Sequence, residues 1–201
     1  MTRRGVWERL PSAIMEAALI VFAVLVALGV DEYWETLEER ALAETAVERI
    51  AAEVASNRAD LLNSRESNVR LAEDLERAIS SLDAGDGPGI DGVNYEVSLL
   101  GTDAWQTAQV TRAVHFMDFD QVGRISQVYR VQQLYVERQA PIVDAVSTLG
   151  VGDIGMSFRA IRRGLAVTLA LECNLVAEYD SLLTDLAFTG ASGGSTASGC
   201  E

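Results

Sequence analysis

The chain contains no lysine; all sixteen of its basic residues are arginine, as in proteins encoded by GC-rich bacterial genomes. It also has only one histidine, two cysteines and three prolines among 201 residues. A metal centre draws on several converging His, Cys or carboxylate ligands, so the lone His115 reads as a helix-end or core residue. Two cysteines are too few for a disulfide framework. Cys173 and Cys200 are able to pair in an oxidising compartment, but Cys200 sits in the flexible-looking tail TGASGGSTASGCE, and the pairing stays open. Positive charge is scarce as well. The net charge is −14, and from Asp31 onward 28 acids face 13 arginines. Such a surface repels nucleic acid.

Apolar residues make up 49% of the chain, and they are unevenly spread. Ser12–Val30 carries a single charge, Glu16. As a helix it reaches roughly 28 Å, close to the hydrocarbon thickness of a bilayer. Trp7 precedes it, and Tyr33 and Trp34 follow it, where amphipathic rings settle at headgroup level. Arg3, Arg4 and Arg9 lie on one side; Asp31, Glu32, Glu35, Glu38 and Glu39 lie on the other. The positive-inside rule then puts the N-terminus in the cytoplasm and the rest outside. A cleaved signal peptide with a site at Ala27-Leu28-Gly29 is the competing reading. The length of the run and its helical continuation into DEYWETLEERALAE favour an uncleaved anchor. Glu16 lies a turn from the cytoplasmic edge, where an acid costs far less than at the bilayer centre. It is either a tolerated interfacial acid or a contact with a basic group on another membrane helix.

Beyond the anchor, the pattern predicts one long helix, or two stacked ones, up to Ala84. Apolar residues recur at Val47, Ile50, Val54, Leu61, Leu71, Leu75, Ala78 and Leu82. The same stripe turns polar at Asn57, Ser64 and Asn68, which argues against a coiled-coil seam. We read it instead as a face packed on later helices, with a polar notch in its middle. Ser81–Gly92 is a loop, and Val93–Leu100 is a short strand or an extended connection. A helix capped by Thr102 or Asp103 passes through Trp105, Ala108 and Ala113. Asp118 or Asp120 caps another, with Val122, Ile125, Val128, Tyr129 and Val136 on its face. Pro141 begins or interrupts a further helical piece, Gly150–Gly155 is a turn, and a last helix runs from about Ile154 to Phe188. The expected architecture is all-α: residues 1–11 cytoplasmic, 12–30 spanning, 31–188 an external bundle of about four helices, and 189–201 a flexible tail.

No chemical motif survives its context. Gly150-Val151-Gly152-Asp153-Ile154-Gly155 matches G-x-G-x-x-G but lacks the preceding strand of a dinucleotide site. Asp86-Gly87-Pro88-Gly89-Ile90-Asp91 is a single copy of a motif that binds calcium only in stacked arrays. Trp105, Phe116, Phe119, Tyr129 and Tyr135 fall at helical spacing and read as core. No catalytic set, cofactor site or metal site is expected.

Two stretches carry a family likeness: EAALIVFAVLVALGVDEYW (Glu16–Trp34) and AWQTAQVTRAVHFMDFDQVGRISQVYRVQQLY (Ala104–Tyr135). With Trp105, Met117, Tyr129, Gln132, Gln133 and Leu134, they resemble a group of uncharacterised bacterial single-span proteins. Where that group often has Gly, this chain has Ala113 or Val114. The resemblance implies one span and a helical external domain, and no reaction. A basic leader, an early acid and an apolar helix also resemble type IV pilin-like subunits. Cleavage before Ser12 would put Glu16 at the fifth position, although Pro11 then stands where pilins have Gly or Ala.

The sequence therefore points to a non-enzymatic interaction or scaffold protein of the bacterial inner (plasma) membrane, with its C-terminal domain periplasmic or extracellular. Its expected partners are the lipid bilayer and another membrane protein or a second copy, met through Glu16. A pilin-like or secretion-system assembly subunit is the first alternative. An external sensor or ligand-binding domain, with Asn57, Ser64 and Asn68 lining a cleft, is the second.

Overall fold

The computed structural model describes residues 10–90, 92–150 and 152–190, with the side chains of residues 10–14, 17 and 188–190 left aside. All regular structure among them is helical: α1 (Leu10–Asp83), α2 (Asp103–Val110), a 3-10 turn (Ala113–Phe116), α3 (Phe119–Ser147) and α4 (Ile154–Gly190). The four-helix, all-α expectation holds.

α1 is one unbroken helix of 74 residues, about 110 Å long at the ordinary helical rise. Its only interior breaker, Gly29, costs too little to interrupt so long a run of strong helix formers. Two of its expected neighbours differ from the sequence reading. The helix expected through Ala113 stops at Val110. Arg112 takes a left-handed φ of 62°, and the chain resumes as the 3-10 turn. Pro141 neither begins nor ends a helix but lies inside α3. It is exposed there, so water can satisfy the carbonyl one turn earlier that loses its N–H partner. Asp118 is the cap of α3, its side chain accepting from the N–H groups of Asp120 and Gln121. Val93–Leu100 forms no strand.

α4 runs antiparallel to α1, since Arg58 pairs with Asp180 near one end and Glu76 with Arg162 near the other. It runs antiparallel to α3 as well, because Gln132 meets Tyr179 while Ile142 meets Gly164. α1 and α3 each pack along α4, and they meet one another through long polar side chains, Glu53 with Tyr129 and Asn57 with Gln132. The gap between them is filled at one end by α2 and the 3-10 turn, and in the middle by the connector that follows Ser81–Gly92. Two apolar clusters result. One gathers Ile50, Val54, Leu61, Ile125, Leu175 and Tyr179. The other gathers Leu71, Leu75, Ile142, Phe158, Ile161 and Leu165.

The bundle covers α1 only from Ala43 onward. Before that, Leu19, Ile20, Val21, Phe22, Val24, Leu25, Val26, Leu28 and Val30 are between 48% and 65% exposed. Among the described residues, no helix is long and apolar enough to cross a membrane. The run Ser12–Val30 includes Ser12, Ala13, Ile14 and Ala17, whose side chains lie outside that set.

Candidate functional site

Between the two apolar clusters lies a polar layer, and the sequence-marked notch is its α1 wall. Asn57, Ser64 and Asn68 are all buried. They do not line an open cleft, because the connector fills the space. Asn57 accepts from the N–H of Gly101 at 2.7 Å and donates to its carbonyl at 2.8 Å. Asn68 does the same to Glu96, at 3.0 and 2.9 Å. Gln139, from α3, does so to Ser98, at 3.0 and 3.1 Å. A side-chain amide carries the donor and acceptor of a peptide group. Three of them therefore replace, at Glu96, Ser98 and Gly101, the neighbouring strand that the connector lacks, and those backbone groups are satisfied.

Further groups extend the layer. Gln132 donates to the Gly101 carbonyl at 2.8 Å, while its own carbonyl accepts from Asn57 and from the Tyr179 hydroxyl. Glu53 accepts from the Ala104 N–H and the Tyr129 hydroxyl, holding the start of α2 where Trp105 stacks on Tyr129 with ring centres 5.9 Å apart. Glu172 of α4 is fully buried. It accepts from Tyr135 at 3.0 Å and from Arg65 at 3.3 Å, while the same Arg65 nitrogen donates to the Leu169 carbonyl at 2.9 Å. Tyr135 reaches Ser98 at 3.0 Å, and Ser98 touches Ser64.

Burial dominates the electrostatics. It holds the hydroxyls of Tyr95, Tyr129, Tyr135 and Tyr179 well above the ordinary tyrosine range, with nearby Glu172 or Glu53 pushing the same way. Burial also raises the Glu172 carboxyl, against the lowering pull of Tyr135 and Arg65. No described buried side-chain polar atom is left without a partner. The layer is thus closed on itself: each group that looks chemically able already holds a structural bond.

The other marked residues lie apart from it. Glu16 is exposed on the apolar stretch of α1. His115 is exposed in the 3-10 turn, and Cys173 is half-buried on α4. Cys200, Asp91 and Val151 lie outside the described residues. No group of His, Cys, Asp or Glu among the described residues is arranged to hold a metal. Sequence reasoning underweighted Gln132, Gln139, Ser98, Tyr135 and Glu172. The one signal available was a polar residue on each otherwise apolar face. Outside the layer, an open groove of about 700 Å³ runs between the connector and α3, walled by Val97, Leu99, Val136, Ala140 and Val143. No protein-family profile, curated protein or solved structure matches the chain.

Proposed function

We propose that the chain is a membrane-anchored, non-enzymatic interaction protein whose helical domain is carried outside the bacterial inner membrane on α1. One observation carries this reading: the helix between Ala18 and Val30 bears apolar side chains on every face, and no other described residue covers them. In water such a sleeve would expose far more apolar surface than a monomeric soluble protein tolerates; in lipid it is at home. The arginines before it and acids after it orient it with its N-terminus in the cytoplasm. The likeness to uncharacterised bacterial single-span proteins points the same way. A self-satisfied polar layer favours a structural role for the external domain over catalysis. The connector seated against the buried Asn57, Ser64 and Asn68 weighs against the sensor alternative. Contact with a membrane partner or a second copy is assigned to Glu16 and the apolar helix around it.

Alkaline carbonate extraction of cells expressing the chain, combined with protease added from outside, tests the reading. Retention in the membrane pellet with an externally cleavable domain is expected. Release into the carbonate supernatant would contradict it. A mature N-terminus at Ser12 would instead favour the pilin-like alternative.

A further inference from the structure

The connector has its main chain satisfied at alternate residues only. Glu96 and Ser98 have both backbone groups clasped by side-chain amides. Val97 and Leu99 have neither: no described residue hydrogen-bonds to the N–H or C=O of either one. Both are exposed, Leu99 to 83%. Val93–Leu100 runs without a turn or bend and holds no proline, lysine or arginine. Nothing on it blunts a bare edge in the way that lysine, proline or a bulge blunts the edge of a sheet.

That edge is one wall of the open groove of about 700 Å³, a size typical of ligand sites. The other wall is α3, from Val136 to Ser147. The two walls run in opposite directions, since Gln132 meets Gly101 and Gln139 meets Ser98. Their lengths agree. Val97–Gly101 reaches about 13 Å when extended, and Val136–Ser147 about 16 Å as helix. The groove therefore has room for about four or five residues of extended chain. At its Val97 end stands Asp144, which is exposed and whose carboxylate no described residue pairs.

We propose that this groove docks an extended apolar segment of a partner protein, which pairs with the connector as a strand and sets an arginine or lysine on Asp144. The free N–H and C=O groups of Val97 and Leu99 call for another main chain, whose hydrogen bonds supply affinity while alternate side chains fill the groove. A partner helix has already spent those groups on itself, and an acyl chain has none. Charge selects the partner further. The unpaired Asp144 and a net charge of −14 favour a basic segment, whereas a second copy of the chain brings the same −14 and is repelled. The site adds to the interaction role proposed above a contact on the domain itself. It stands on the groove alone, whether or not α1 lies in lipid.

The test uses the full chain in detergent micelles and short synthetic peptides in which valine alternates with threonine. One peptide carries arginine at its start and the other at its end. Binding is read by amide exchange at Val97 and Leu99 and by the anisotropy of a labelled peptide. At least one of the two peptides is expected to slow exchange at both residues. Ala140→Phe fills the groove from an exposed position on α3 and should abolish the effect without lowering the unfolding midpoint. Asp144→Asn should weaken binding about two- to fivefold at low salt. The same peptide methylated on its main-chain nitrogens keeps its side chains but cannot donate to the edge, and should bind at least about tenfold more weakly. No slowing by either peptide at about 1 mM, or equal binding of the methylated form, would overturn the proposal. Slowing without peptide that grows with protein concentration would put a second copy in the groove, and would overturn it too.

Discussion

The side-chain amide of Asn57 takes both backbone hydrogen bonds of Gly101, a residue 44 positions away in the chain. That pair fixes where the connector ends and α2 begins, and the same device recurs at Glu96 and Ser98. The bundle is therefore held together by an interior of paired amides as well as by its apolar clusters.

Replacing Asn57 by Asp keeps its shape but turns the donor toward the Gly101 carbonyl into an oxygen. Asn57→Asp is expected to cost about 2–4 kcal/mol, and Asn57→Ala about 1–3 kcal/mol, because a buried N–H or C=O loses its partner. Denaturant unfolding of the three chains in detergent checks this. Equal stability of all three would mean that water replaces the clasp.

A second prediction concerns the crossing of α3 and α4. A Cβ on Gly164 would lie 2.7 Å from Ile142 Cγ1. Gly164→Ala should therefore destabilise by about 1–3 kcal/mol through overpacking, although alanine is the better helix former by ~1 kcal/mol. In an Ile142→Ala background, which vacates that space, the same change should be neutral or stabilising. A double-mutant cycle with no coupling would contradict the close approach.

Glu53 joins α1 to α2 and α3 through Ala104 and Tyr129. Removing it in Glu53→Ala leaves a half-buried N–H and hydroxyl unpaired, an expected loss of about 1–3 kcal/mol. Trp105 lies beside this contact, stacked on Tyr129, so its fluorescence should shift to the red as α2 loosens. Unchanged emission would show that the stack alone holds α2.

The raised carboxyl of Glu172 also sets a sign for stability. Its folded affinity for the proton exceeds that of the unfolded chain, whose carboxyl titrates near 4.5. Its contribution is fully present below that pH and is lost as the pH rises through the folded value. Relative to Glu172→Gln, the native chain should therefore lose stability from mildly acidic toward alkaline pH. Unfolding midpoints across a pH series report this, and a relative gain would reverse the assignment.

Much of this was legible in the sequence, and what was not had a physical cause. The stripe on α1, with its polar gap at Asn57, Ser64 and Asn68, follows from helical periodicity and reappears as buried positions. What fills the gap was not legible, because Gly101, Ser98 and Glu96 reach it only once α1 and α3 are set apart on α4. Pro141 read as a boundary by local rules, yet it sits on an exposed face of α3 where the lost bond is solvated. Glu172 carried no such signal, since no local pattern shows that Tyr135 and Arg65 will meet it from two other helices.

The bare apolar sleeve of α1 carries the proposed membrane role, and lipid partition of the purified full chain tests that role most directly. After detergent removal in the presence of phospholipid vesicles, the chain should float with the vesicles and stay bound through high-salt and alkaline washes. A chain that remained at the bottom of the gradient as a monodisperse, detergent-free monomer would contradict it.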